Sequence, residues 1–304
     1  MKTSPHNHRT SAPDNRKPMI IAHRGASGLA PENTLRAFRL AIALGAEGVE
    51  MDVQLTADGA PVVIHDAHVN RTTNGRGPVA GLTLEELTVL DAGRWFDRRL
   101  ALRPGVRKTI ERISKEGGNN HIYSTENVPT LEAALDVLVP SSLARIYIEL
   151  KCDKRNREEM ADAILAIVRC LHIEESVTLL SFDHEAIRHT KRIAPDIRTA
   201  ATFPVSGRAL VTSRSITESV KEAEADEAAL HYGIATQRVV SALHESGLEV
   251  SAWTANRPHV MKRLIASGVD AIMTNFPDRL KDIIASSNSR RSPSIEAVRK
   301  VRTR

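Results

Sequence analysis

Only 3% of this 304-residue sequence is aromatic: five Phe, three Tyr and two Trp. That scarcity argues against a protein that grips single-stranded nucleic acid, which needs several rings on one face to stack successive bases. Cysteine is scarcer still. Cys152 and Cys170 are the only two, one in a loop-like and one in a helix-like stretch, without metal-type spacing. No disulfide framework is expected, and a reducing compartment, the cytoplasm, fits. No run approaches the roughly 18 to 20 apolar residues of a membrane span, so no stable membrane insertion is expected. The opening MKTSPHNHRTSAPDNRKP likewise lacks the apolar centre of a secretory leader. Also missing are G-x-S-x-G, G-x-x-x-x-G-K-[ST], H-E-x-x-H and G-x-G-x-x-G. With them go the nucleophile elbow, the P-loop, the zinc-protease helix and the dinucleotide fingerprint.

Positive charge is in excess, +5 overall, but it sits at the ends. Residues 287–304 hold six Lys/Arg against Glu296, and residues 1–18 hold four against Asp14, which leaves 19–286 at −3. The basic C-terminal stretch and the N-terminal one read as solvated, disordered tails, not as nucleic-acid arms. The 41% hydrophobic content is enough for a large core in the region between.

Within 19–286 short apolar runs alternate with helical patterns. The runs are MIIAH, GVEMDVQ, PVVIHD, RIYIELK, SVTLLSF, RTAATF, EVSAWTA and DAIMTN, with AALHY at 228–232 a weaker candidate. Helices are expected over 33–44 opened by Asn33, 130–138 opened by Thr130, 156–170, 183–193 capped by Asp183, 235–246, and 257–267 before Gly268. Repeated strand, helix, strand units imply an α/β fold with a parallel sheet, and about eight of them imply a TIM-type (β/α)8 barrel. QLTADGA, 54–60, is too short for a crossover helix, so 48–66 is a hairpin or a helixless crossover. A small insertion, about 67–128, follows the third strand, and long excursions at strand ends usually cover a site.

Residues two apart on a strand share a face, so Glu50 and Asp52 in VEMDV point together, as do Glu149 and Lys151 in YIELK. Carboxylates facing a barrel interior cost several kcal/mol each unless paired or bound to a cation. His23, Glu50, Asp52, His65 and Glu149 all fall at the ends of predicted strands where barrel enzymes build sites. Oxygen ligands without cysteine select a hard divalent cation, Mg2+ or Ca2+. Two histidines beside it suit acid and base roles, and Arg24 and Lys151 offer charge to an anion. The group reads as metal-assisted cleavage of a phosphate ester. Ser181, Asp183 and His184 carry the letters of a hydrolase triad, but neighbours at a strand end point apart, and Asp183 reads as a helix cap. The remaining histidines singled out, His6, His8, His121, His172, His189, His244 and His259, read as surface positions.

HRGASGLAPENT, VEMDVQLTADGAPVVIHD, RTTNGRGP, IELK, WTAN and TNFPD, in that order, resemble the glycerophosphodiester phosphodiesterase family over roughly 19–284. The resemblance implies a TIM-type barrel and cation-dependent hydrolysis of a small glycerophosphodiester to sn-glycerol 3-phosphate and an alcohol. Position by position it implies His23 and His65 as the acid/base pair and Glu50, Asp52 and Glu149 as ligands of one divalent cation. Arg24 and Lys151 become phosphate contacts, Phe182 and Trp253 an apolar wall by the glyceryl or leaving group, and Glu32 and Asn33 shapers of the loop and helix cap. The chain departs from the family at 97–127, where it inserts a basic stretch beside the expected alcohol side. With that stretch as a lipid-facing element, a lysophospholipase D is the alternative enzyme. A catalytically silent phosphodiester-binding module is the alternative from another class.

Overall fold

Among the described residues nine strands form: β1 Met19–His23, β2 Gly48–Leu55, β3 Pro61–Val63, β4 Arg145–Leu150, β5 Val177–Ser181, β6 Arg198–Phe203, β7 Glu227–His231, β8 Glu249–Trp253 and β9 Ala271–Thr274. All but β3 pair in parallel around a ring, β1-β2-β4-β5-β6-β7-β8-β9, which closes where β9 meets β1. The computed structural model describes residues 17–96, 126–141, 143–205 and 212–289. Most of the stretch expected to depart from the family, residues 97–125, lies outside the described residues, as do the outer parts of both tails.

The barrel is closed by side-chain alternation. Ile21, Tyr147, Leu180, Ala200, Ala229 and Met273 pack together inside the ring. Their strand neighbours Ala22, Val49, Ile146, Ile148 and Leu179 join a cluster that includes Phe38, Leu135 and Ile164 from the helices. Those helices are α1 Leu35–Ala43, α2 Leu84–Thr88, α3 Leu131–Leu138, α4 Arg157–Cys170, α5 His184–Ile193, α6 Ser213–Glu222, α7 Gln237–Glu245, α8 Pro258–Ser267 and α9 Pro277–Ser289. Thr130 and Asp183 cap α3 and α5 with their side-chain oxygens, as their positions in the sequence suggest. Among the described residues no helix is long and apolar enough to cross a membrane.

One open alternative is settled and one expectation, the cap of the first helix, changes. The segment 48–66 is a hairpin: β3 runs antiparallel to β2, with Val53 opposite Val63, and stays outside the ring. The eighth barrel place therefore goes to the weak candidate, AALHY, whose residues make up most of β7 and pair with both β6 and β8. Helix α1 is capped by Thr34, whose hydroxyl accepts from Ala37 N, and not by Asn33. After β3 the insertion packs back on the hairpin, Val69, Val79, Leu87, Ala92 and Val128 sharing a small core with Val62 and Ile64.

Glu227, on β7, is fully buried, with the Tyr147 hydroxyl from inside the ring donating to its Oε2 at 3.1 Å. Burial, with the Glu249 charge adding to it, pushes its carboxyl up to about 7. A carboxyl raised in the folded state binds its proton there but not in the unfolded chain, so its contribution falls as pH rises from the ordinary carboxylate range to about 7. Glu227→Gln keeps an acceptor for Tyr147 and removes that dependence. Urea unfolding at pH 5 and pH 8 should show the variant gaining on the wild type by up to about 3 kcal/mol at the higher pH. A variant that loses stability equally at both would mean the carboxylate is held as an anion.

Candidate active site

The C-terminal ends of β1, β2 and β4 and the turn after β3 bring the predicted polar residues to one place. His23, Arg24, Glu50, His65, Glu149 and Lys151 line a single pocket together with Leu180, Phe182, Thr202, Trp253, Thr254 and Met273. Asp52 lies fully buried beside Glu50 and Glu149. Every site residue expected from sequence is thus in the pocket or against it.

Local backbone explains the His-Arg-Gly order. Arg24 has φ +57°, a conformation that side chains rarely adopt, and Gly25 follows at φ +74°. A Cβ on Gly25 would sit 2.6 Å from the Ala37 backbone, so only glycine lets the loop pass α1. The sharp turn aims the Arg24 N–H at Glu50 Oε2, 2.9 Å away, and sets its guanidinium between Asp52, Nε to Oδ2 3.0 Å, and Glu32, 2.9 Å. Asn33, also at positive φ, donates from Nδ2 to Asp52 Oδ2 at 2.7 Å. Sequence reasoning took Asn33 for a cap because it stands next to one. The E-N-T run offered two capping residues in succession, and only the fold shows which of them faces the site.

Both histidines are oriented by a partner at Nδ1. In His23 it is Asn275 Oδ1, at 2.9 Å, and Asn275 is itself held by its N–H donating to Asn256 Oδ1 at 2.9 Å. In His65 it is Asp66 Oδ1, at 2.6 Å. With an acceptor at Nδ1 the neutral ring carries its proton there and leaves Nε2 free to take one. His23 Nε2 lies 3.8 Å from Glu50 Oε2. Gln54 steadies the turn that carries His65, its Nε2 donating to the Asp66 carbonyl at 2.6 Å and the His65 carbonyl at 3.1 Å. Asn275 and Asp66 sit inside quoted motifs, TNFPD and VVIHD, yet nothing in their spacing assigns them to particular ring nitrogens.

Electrostatics divide the three carboxylates. Burial, reinforced by Asp52 and Glu149, raises Glu50 well above the usual carboxylate range. Burial and Asp52 lift Glu149 to about 7. Asp52 goes the other way: burial would raise it, but Arg24 and Lys151 outweigh that and hold it ionised far below the ordinary range. Lys151 Nζ is 3.0 Å from Asp52 Oδ1 and 2.6 Å from Glu149 Oε1. Burial and the Arg24 charge depress His23 to about 3, and burial lowers His65 as well, so both rings are neutral at neutral pH.

The carboxylates fit a cation. One oxygen from each of Glu50, Asp52 and Glu149 lies within 4.8 Å of the others. Glu50 Oε1 is buried with no hydrogen-bond partner among the described residues. An all-oxygen set with an unpartnered buried oxygen is what a hard divalent ion takes. Opposite the charges, Phe182 and Trp253 meet edge to face at 5.4 Å, and Trp253 Nε1 donates to the Ala229 carbonyl at 3.0 Å, which fixes the indole. Ser181 takes no part: it is buried, and its hydroxyl donates to the Leu150 carbonyl at 3.0 Å. His189, expected at the surface, is half-buried between α4 and α5 beside Glu158 and Asp162.

The sequence pattern of the glycerophosphoryl diester phosphodiesterase family matches residues 23–279. A glycerophosphodiester phosphodiesterase from Caldanaerobacter subterraneus subsp. tengcongensis is 33% identical over 271 residues, covering 88% of this chain and 98% of that protein. One from Bacillus subtilis is 32% identical over 265 residues, covering 86% and 84%. Among solved structures, a phosphodiesterase from Oleispira antarctica in complex with the product sn-glycerol-3-phosphate superposes with a TM-score of 0.73 at 28% identity, covering 88% of this chain and 97% of that one.

Proposed function

The chain belongs to the glycerophosphoryl diester phosphodiesterase family, and on that premise we propose that His23 and His65 are the acid/base pair of a cation-dependent hydrolysis releasing sn-glycerol 3-phosphate and an alcohol. One observation carries the reading. Two neutral imidazoles, each with Nδ1 occupied by a fixed acceptor, flank a buried three-carboxylate cluster with two cationic side chains beside it.

Glu50, Asp52 and Glu149 hold the divalent ion, Mg2+ or Ca2+. When bound, it supplies Lewis-acid polarisation of the phosphoryl group. Arg24 takes a non-bridging phosphate oxygen with its guanidinium, and Lys151 adds a second positive charge on the same side. One histidine, neutral, accepts at Nε2 a proton from the attacking water as its oxygen bonds to phosphorus; the other, protonated once the anionic phosphate beside it raises its affinity for a proton, donates to the bridging oxygen as that P–O bond breaks and the alcohol leaves. Adjacency of His23 and Arg24 then has a purpose: the charge that fixes the phosphate and the group that moves the proton stand on consecutive residues at one strand end. Phe182 and Trp253 form the apolar wall against which the glyceryl or leaving group lies. The two cysteines, both free, support placing the enzyme in a reducing compartment, the cytoplasm.

The test is release of sn-glycerol 3-phosphate from glycerophosphocholine, read by a coupled glycerol-3-phosphate dehydrogenase assay with Mg2+ or Ca2+ present. Turnover is expected with either the choline or a related headgroup. Lysophosphatidylcholine, run in parallel with released choline as the readout, identifies a lysophospholipase D if it alone is cleaved. Tight binding of the diester without turnover of any substrate identifies a silent binding module and ends the hydrolase reading.

A further inference from the structure

Arg71, the first residue of the RTTNGRGP motif, closes a one-turn 3-10 helix, Val69–Arg71, in the insertion. Its guanidinium is shared between two carboxylates far apart in sequence. NH1 and NH2 donate to Glu32 Oε2 and Oε1, at 2.9 and 2.7 Å, and Nε and NH2 donate to Asp66 Oδ2 and Oδ1, at 2.6 and 3.0 Å. The two oxygens that share NH2 are the same two that hold site residues. Glu32 Oε1 also accepts from Arg24 NH1, 2.9 Å, and Asp66 Oδ1 also meets His65 Nδ1, 2.6 Å. One nitrogen of Arg71 thus stands between Arg24 and His65, one carboxylate away from each. The turn beneath it is anchored by fully buried Val69, and the Thr73 N–H closes back on the Val69 carbonyl at 3.0 Å.

We propose that Arg71 is a positioning residue: through Glu32 and Asp66 it fixes the placement of Arg24 relative to His65, touching neither the substrate nor the metal ligands. This rests on the function proposed above for those two residues. As an isolated ion pair Arg71 would matter little, because its side chain is 40% exposed and exposed pairs contribute little to stability. Its geometry is what counts. Glu32 belongs to the loop after β1 and Asp66 to the turn after β3, and no strand pairing joins these two segments. A planar fork that binds both carboxylates in a bidentate fashion sets their separation and their rotation, which a point charge does not. Without it each carboxylate is free to turn, and a displacement of about 1 Å in a catalytic array costs up to about 10²-fold in rate.

The experiment combines kinetics with a spectroscopic reading on the full chain. Arg71→Ala, with Arg71→Gln as the gentler variant should alanine fold poorly, is expected to lower kcat by about 10- to 100-fold. KM and the melting temperature should stay close to wild type. Arg71→Lys should recover little, since lysine keeps the charge and loses the fork. In a Glu32→Gln/Asp66→Asn background, where both anchors are altered, Arg71→Ala should cost less than about 2-fold further, since coupled residues are not additive. The Nδ1–H proton of His65, followed by NMR, should be sharp and downfield in wild type and broadened in Arg71→Ala. Unchanged kcat with the proton signal intact overturns the proposal, as does full recovery by lysine or an undiminished loss in the doubly altered background. If the wild type turns over no glycerophosphodiester, the reaction assignment fails, while the His65 signal still decides whether Arg71 positions that ring.

Discussion

His23→Ala and His65→Ala are each expected to lower turnover by at least about 10²-fold, the usual contribution of a positioned acid or base, while leaving the protein folded. The folding half of the expectation comes from what each ring touches. Among the described residues the His23 ring bonds only to Asn275, and the His65 ring only to Asp66, which Arg71 continues to hold after the ring is gone. Both rings line a pocket beside the charged side chains of Arg24, Glu50, Glu149 and Lys151, so truncation leaves space that water enters, not a dry cavity. The catalytic half comes from Nε2. In both rings it is the nitrogen without a protein hydrogen bond among the described residues, and in both the ring is kept neutral by burial, so it can accept a proton at neutral pH. Ser181→Ala is the control. It removes a hydroxyl that donates to the Leu150 carbonyl and accepts from Asp183 N, so about 1 kcal/mol of stability is expected to go with full turnover retained. Steady-state kinetics and thermal melts of the three variants decide it. Wild-type rates in either histidine variant remove that residue from the chemistry, and a well-folded but inactive Ser181→Ala would bring back a serine nucleophile.

Much of this arrangement is legible in the sequence because it is encoded locally. E-x-D and E-x-K on strands of period two place their charges on one face whatever the fold around them, and a run of such strands ending in charged residues already marks the mouth of a barrel. The polar residues of the pocket follow from that pattern. What is not local is harder to see. The ladder partner of β2 on the hairpin side depends on a turn of a few residues, and β7 hides because two of its five positions are Glu227 and His231, which look out of place in a buried strand. Asn33, Asn275 and Arg71 act across 19, 252 and 39 residues of chain on Asp52, His23 and Glu32. No periodicity announces a contact of that length. Their types are compatible with caps, loops and solvated charges, and only closure of the barrel turns them toward the site.

Removal of the divalent ion should abolish turnover and also lower the melting temperature. Saturating metal, at about 100 times its dissociation constant, stabilises the fold by roughly 2.7 kcal/mol, and a chelator withdraws that amount. In the metal-free protein three carboxylates share a buried site with Arg24 and Lys151, and Glu50 and Glu149 respond by holding protons, with Glu149 up to about 7. A cation must displace those protons, so its affinity rises with pH through the neutral range. Glu50→Gln separates the charge from the shape. The amide oxygen still accepts from Arg24 N, as Oε2 does now at 2.9 Å, but no proton has to leave and one ligand charge is gone. The chelated variant should therefore melt no lower than the chelated wild type, and gain over it as pH rises, because a carboxyl raised in the folded state loses stability with increasing pH. The rise in melting temperature on adding Mg2+ or Ca2+ should shrink, with its pH dependence flattened. If Glu50→Gln instead destabilises the chelated protein while the response to metal is unchanged, Glu50 is a structural acceptor for the Arg24 turn, and the three carboxylates are not the seat of the cation.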